Sequence, residues 1–217
     1  MPRSPRILGD NIHYHLILRC NNKEKLFSDE EDFEKVLWFL SRTKLQFSFR
    51  LYNYEILNSH MHLLLSTLNG GNVDKIMHYF SLLYSKNFNK RHGRTGHFWA
   101  HRYRSRIILD DKHGLGTLRY QHRNAMSAGL VERPEDWLWS GYRYYAFGVP
   151  SDLLEPHPSF LVLGENTEKR QQTYRDLVLT PIPTDKHGDF LEKANRPMSR
   201  RYLTMVKQVN GLLGQLK

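Results

Sequence analysis

Residues 47–67, "FSFRLYNYEILNSHMHLLLST", constrain the fold more than any other stretch. Two alternating apolar runs flank Asn58 and Ser59, and a two-residue connection between such runs makes an antiparallel hairpin. A hairpin alone is barely stable in water, so further strands are needed. "NIHYHLILRC", residues 11–20, alternates His13, His15 and Ile17 against Ile12, Tyr14 and Leu16, and "RSRIILDD", residues 104–111, supplies a short fourth run. Between them the apolar spacing turns helical. Ser28 is a plausible N-cap before acidic residues and a stripe of Phe33, Val36, Leu37 and Leu40. A second helix carries Ile76, Tyr79, Phe80, Leu83 and Phe88 and stops at Gly93, and a third spans residues 111–126, weakened by Gly114 and Gly116. The order strand, helix, strand, strand, helix, strand, helix predicts an α+β, ferredoxin-like antiparallel sheet with helices on one face.

A chain of 217 residues accommodates one main domain with a real core. The expected division is a domain over residues 1–150 and a small, basic, mostly helical C-terminal extension over 151–217, a stretch punctuated by prolines from Pro156 to Pro197. Its last part, residues 192–217, holds six Lys or Arg against one Glu and a stripe of Tyr202, Met205, Val206, Val209, Leu212 and Leu213. Such a helix could dock on the domain or lie along DNA. No apolar run approaches the roughly 20 residues that span a bilayer, and the first residues lack the apolar core of a signal peptide, so a cytoplasmic protein without membrane attachment is expected. Cys20 is the only cysteine. An internal disulfide or a thiolate metal site is therefore excluded, and a metal would have to use His, Asn or carboxylate ligands.

The formal net charge of +10 favours a polyanionic partner, nucleic acid or an anionic membrane surface. Its distribution narrows the choice. From Tyr84 to Arg106 the chain carries seven cations, Lys86, Lys90, Arg91, Arg94, Arg102, Arg104 and Arg106, with no acid, interleaved with Tyr84, Phe88, Phe98, Trp99 and Tyr103. Cations neutralise phosphates and rings offer stacking faces, the combination that single-stranded nucleic acid requires.

Successive strand residues point to opposite faces, so His60 and His62 share one face while Met61 joins Leu63 and Leu65 on the other. The two imidazoles can act as paired metal ligands. Farther on, "LRYQHRNAMSAGLV" places Tyr120 and Asn124 four residues apart, on one side of a helix.

These stretches, with "YHLILRCNNKEKLF", "GRTGHFWAHRYRSRII" and "DWLWSGYRYYAFG", resemble the single-tyrosine transposases of the HUH class (His, bulky hydrophobe, His), and within it the REP-associated branch. The resemblance covers roughly residues 11–150, with a fainter match through "FLVLGENTEKRQQTYRDLV". Two departures are visible. The family commonly reads Pro-Asn before the first histidine and Asn-Pro after the nucleophile helix, where this chain has Asn58-Ser59 and Asn124-Ala125.

The resemblance implies the HUH endonuclease fold and an enzyme that cuts and rejoins single-stranded DNA at hairpin-forming repeats without a nucleotide cofactor. It implies Tyr120 as the nucleophile forming a 5′-phosphotyrosine link, and His60, His62 and Asn124 as ligands to Mg²⁺ or Mn²⁺. The partner is then single-stranded or hairpin DNA, and the protein a monomer or a homodimer. Competing readings are a hairpin-DNA-binding protein that no longer cuts, a relaxase or replication-initiator-like nickase, and an RNA-binding domain, which would not need Tyr120.

Overall fold

The computed structural model describes residues 8–180. Four strands, β1 (His13–Arg19), β2 (Phe49–Leu57), β3 (His60–Thr67) and β4 (Arg104–Ile107), form one sheet in the order β2-β3-β1-β4, every neighbouring pair antiparallel. Helices α1 (Glu30–Gln46) and α2 (Val73–Arg91) supply the two crossovers, completing the expected ferredoxin-like arrangement. The register opposes Ile17 to His62 and Arg19 to His60, and the β2–β3 hairpin opposes Glu55 to His62.

Helix α1 starts one residue later than Ser28 suggests. Asp29 is the N-cap, its carboxylate accepting from the Asp32 N–H at 3.0 Å, while the Ser28 N–H and hydroxyl both donate to the Asp32 carboxylate. Phe33, Val36, Phe39 and Leu40 of α1 and Ile76, Met77 and Phe80 of α2 then bury against Leu16, Leu18, Ile56, Met61, Leu63 and Leu65 of the sheet. Met61 is fully buried, as its alternation with the two histidines requires.

The helices divide between both faces of the sheet; they do not share one. The second face is covered by α3 (Asp111–His122), α4 (Asn124–Ser127), α5 (Tyr142–Phe147), α6 (Pro158–Leu161) and α7 (Thr167–Leu179). There Tyr52, Leu64, Leu118, Tyr142, Tyr145, Phe160, Tyr174 and Val178 form a second apolar cluster. This face reads as solvated because His13, His15, Asn53, Glu55, His62 and Ser66 line it, yet the last five of these are buried. His15, Asn53 and Ser66 hydrogen-bond other polar side chains there, whereas Nε2 of His62 meets no hydrogen-bond partner.

The described residues up to Leu179 belong to one compact unit, which includes residues 151–179. The segment from 151 to 179 is bound in by Phe160, Tyr174 and Val178, all buried in the second cluster. Gly114 shows how closely it seats: a Cβ there would lie 2.6 Å from the His157 ring, which explains a glycine inside α3. The basic stretch 192–217 lies outside the described residues. Among the described residues no helix is long and apolar enough to cross a membrane.

Candidate active site

His60 opens β3 immediately after the Asn58-Ser59 turn, and His62 follows on the same face, their ring centroids 5.1 Å apart. The turn is pinned from both sides: Asn58 donates through Nδ2 to the Phe27 carbonyl and accepts from the Phe27 N–H, and the Ser59 carbonyl accepts from Cys20 N–H. Ser59 Oγ lies 3.1 Å from Nδ1 of His60. That leaves Nε2 as the nitrogen free to face the site.

His62 is buried, and its Nδ1 lies 2.9 Å from Nε2 of His15 on the adjacent strand. No hydrogen-bond partner reaches the buried Nε2 of His62, and in the tautomer that donates its Nδ1 proton to His15 that nitrogen presents a bare lone pair. Both imidazoles are held neutral. Burial pushes His60 down to about 4, helped by the Arg19 charge. Burial, then the neighbouring histidines, pushes His62 well below the ordinary imidazole range, and burial brings His15 to about 3.

Tyr120 sits on the last turn of α3, half-buried, with its ring centroid 5.7 Å from that of His62 and 6.2 Å from that of His15, both edge-on. Burial raises its hydroxyl above the usual phenol range, while hydrogen bonding by Asn124 and the charges of Arg19 and Arg106 pull it down. The expected helix over 111–126 is interrupted at Arg123, so that Tyr120 lies in the last turn of one helix, which ends at His122, and Asn124 begins the next, α4. The amide still reaches the tyrosine. Asn124 Nδ2 is itself buried with no partner.

Tyr120, His60, His62 and Asn124, expected from the sequence, therefore meet at one place. The donor set fits a divalent cation: two neutral imidazoles, one with an unclaimed buried nitrogen, and a carboxamide whose oxygen is a hard ligand. Sequence reasoning missed three further groups. His15 comes against His62 only through the pairing of β1 beside β3, which the alternation of β1 by itself does not reveal. Arg19, opposite His60, escaped notice because it falls outside the basic stretch. Glu55, opposite His62, is fully buried, and burial pushes its carboxyl up to about 8 against the pull of Ser140 and the Ala125 backbone.

The basic stretch divides. Arg106 faces the site beside Tyr120. Lys86, Lys90, Arg102 and Arg104 are exposed. Arg91 is instead taken up by α1: its guanidinium contacts Asp29 at 2.7 Å, Glu31 at 3.0 Å and Asp32 at 2.5 Å, because the acidic first turn of α1 meets the C-terminal end of α2. Arg94 pairs with Glu24 at 3.3 Å. The interleaved rings also differ from expectation: Tyr84, Phe88, Phe98 and Tyr103 are buried core groups, and only Trp99 is partly open. Asp29, Asp32 and His92 also lie close enough to hold a metal ion, but the Arg91 guanidinium already bonds both carboxylates.

The family described as "Transposase IS200 like" matches residues 9–120. The structure of a REP-associated tyrosine transposase bound to a REP hairpin is similar at a TM-score of 0.59 and 17% identity, covering 72% of this chain and 93% of that one. A Deinococcus radiodurans R1 protein whose crystal structure is assigned as a transposase gives a TM-score of 0.41 at 15% identity, covering 58% of this chain and 97% of that one. No curated protein matches.

Proposed function

Because the chain belongs to the IS200-like transposase family, we propose that it nicks and rejoins single-stranded DNA at hairpin-forming repeats, with Tyr120 as the nucleophile. One observation carries this reading: the Tyr120 ring lies 5.7 Å from His62, with a bare imidazole nitrogen and the Asn124 amide beside it. In the forward step the phenol loses its proton to solvent, the Tyr120 oxygen bonds to phosphorus, and the bond from phosphorus to the 3′-oxygen breaks. That oxygen takes up a proton and leaves as a 3′-hydroxyl. The 5′-phosphotyrosine keeps the energy of the broken ester, so a 3′-hydroxyl can reverse the reaction without ATP.

A phenol is a weak nucleophile at neutral pH, and burial makes this one weaker. Arg19 and Arg106 counter that by favouring the phenolate. The same two cations are suited to hold oxygens of the phosphate under attack. His60, His62 and Asn124 would hold Mg²⁺ or Mn²⁺, which when bound polarises the phosphate; two nitrogen ligands favour Mn²⁺. His15 keeps the His62 ring turned so that Nε2 faces the site. The exposed Lys86, Lys90, Arg102 and Arg104 are suited to the flanking DNA backbone, and Trp99 to stacking on an unpaired base.

The test is incubation of the full chain with hairpin-bearing single-stranded DNA and Mn²⁺, beside Tyr120→Phe. A protease-sensitive covalent adduct forms with the native protein and not with the variant, while both bind the hairpin. Equal adduct formation by Tyr120→Phe, or none by either protein, overturns the reading.

A further inference from the structure

We propose that α7 is a clamp on the break between Tyr120 and Asn124, with Tyr174 acting as a positioning residue for the nucleophile; this rests on the nicking reading above. One residue, Arg123, separates the helix that carries the phenol from the helix that carries the amide; its N–H donates to the Arg119 carbonyl and its own carbonyl accepts from the Ser127 N–H, so backbone bonds cross the junction, and the side chains on either side of Arg123 add to them.

Both residues at the break are gripped from α7. The Tyr174 hydroxyl lies 2.5 Å from Nδ1 of His122, and Arg123 donates through its guanidinium to the carbonyl of Val178. The second contact has a simple cause, since carbonyls in the last turn of a helix lack internal partners and attract cations. On its other side His122 meets the sheet: Nε2 lies 2.8 Å from Oδ1 of Asn53, whose Nδ2 donates to Oε1 of Gln121 at 2.7 Å.

The hydrogen bonds run in one consistent direction. Asn53 offers an oxygen to His122, so Nε2 carries the proton and the bare Nδ1 accepts from Tyr174. Tyr174, His122, Asn53 and Gln121 are all buried, so each bond is retained only while α7, α3 and β2 keep their places. Two of the four, Gln121 and His122, directly follow Tyr120. Holding them sets the direction in which the phenol leaves the helix, and hence its distance from His60 and His62. The clamp reaches the chemistry without touching it.

The experiment compares Tyr174→Phe with Tyr145→Phe in the full chain. Each removes one buried hydroxyl from the same apolar cluster, but the Tyr145 hydroxyl serves the Tyr52 carbonyl and the His157 N–H and does not contact the break. Single-turnover adduct formation with saturating hairpin DNA and Mn²⁺ is expected to slow about tenfold in Tyr174→Phe, the scale on which small misplacements act. Hairpin affinity is unchanged. Amide hydrogen exchange over residues 119–125 rises in that variant and stays native-like in Tyr145→Phe, which keeps its rate. Loss of rate by both variants in step with lost stability overturns the clamp, as does unaltered exchange at 119–125 in Tyr174→Phe. A native protein that forms no adduct overturns the nicking reading, and the exchange comparison alone then decides the clamp.

Discussion

Nε2 of His15 lies 2.9 Å from Nδ1 of His62, across two adjacent strands. The contact holds a ring whose other nitrogen, buried and without a hydrogen-bond partner, is the metal ligand proposed above. Replacing His15 with Leu frees the His62 ring to turn and removes its tautomer control. Mn²⁺ affinity measured by titration calorimetry is expected to fall about 10- to 100-fold, the usual effect of losing such a supporting partner. Hairpin binding without metal stays the same. An unaltered Mn²⁺ affinity would refute the supporting role.

Stability should peak at about pH 7. His15, His122 and His157 are pushed to about 3 and His60 to about 4 in the fold, chiefly by burial. Their folded values lie below the unfolded 6.5, so the stability they contribute is fully present only well above 6.5 and is lost on acidification. Glu55 has the opposite sign. Its folded value of about 8 exceeds the unfolded 4.5, so its contribution is full below 4.5 and declines up to about 8. Below about pH 7 several histidines outweigh one carboxyl, and above it, as the unfolded histidines finish losing their protons, the carboxyl outweighs them. Denaturant midpoints across pH 4.5–8.5 would show the maximum.

Glu55→Gln isolates the alkaline limb. Glutamine is close to the shape of a protonated glutamic acid and cannot ionise, so the variant keeps its stability as pH rises from 6.5 to 8, gaining on the order of a few kcal/mol over the native protein at the upper end. The acid limb steepens between pH 4.5 and 6.5, where Glu55 no longer offsets the histidines, and is unchanged below 4.5. A variant that still weakens between pH 6.5 and 8 would mean that another group titrates there.

The cations of the basic stretch should separate by experiment. Arg102→Ala and Arg104→Ala each weaken hairpin binding and reduce the slope of log affinity against log salt by about one. Arg91→Ala leaves that slope alone and lowers the melting temperature, because it strands the buried Asp32 carboxylate. A salt slope that follows Arg91 and ignores Arg102 would reverse the assignment.

Much of the site was legible in the sequence because its spacing is local. His60 and His62 are two apart on a strand, and Tyr120 and Asn124 are four apart near a helix end, so each pair could be placed without knowing the fold. What joins the pairs depends on tertiary contacts. His15 required the β1–β3 pairing, and the Tyr174–His122 contact spans 52 residues of chain. The second layer of helices was missed for a chemical reason: a sheet face lined with His, Asn, Glu and Ser has the composition of a wet surface, and alternation cannot tell it from a buried polar layer. The aromatic interleaving misled in the opposite way. Tyr84 and Phe88 are four apart on α2 and turn inward together, leaving Lys86 between them outside.

The Asn58-Ser59 corner, tied to Phe27 on one side and Cys20 on the other, has a bearing on how this chain can vary. Adding a single residue there would slide β3 by one step, sending both imidazoles into the greasy side of the sheet and Met61 toward the phosphate. Surface connections usually tolerate changes of length; here an added residue would take the paired imidazoles away from Tyr120.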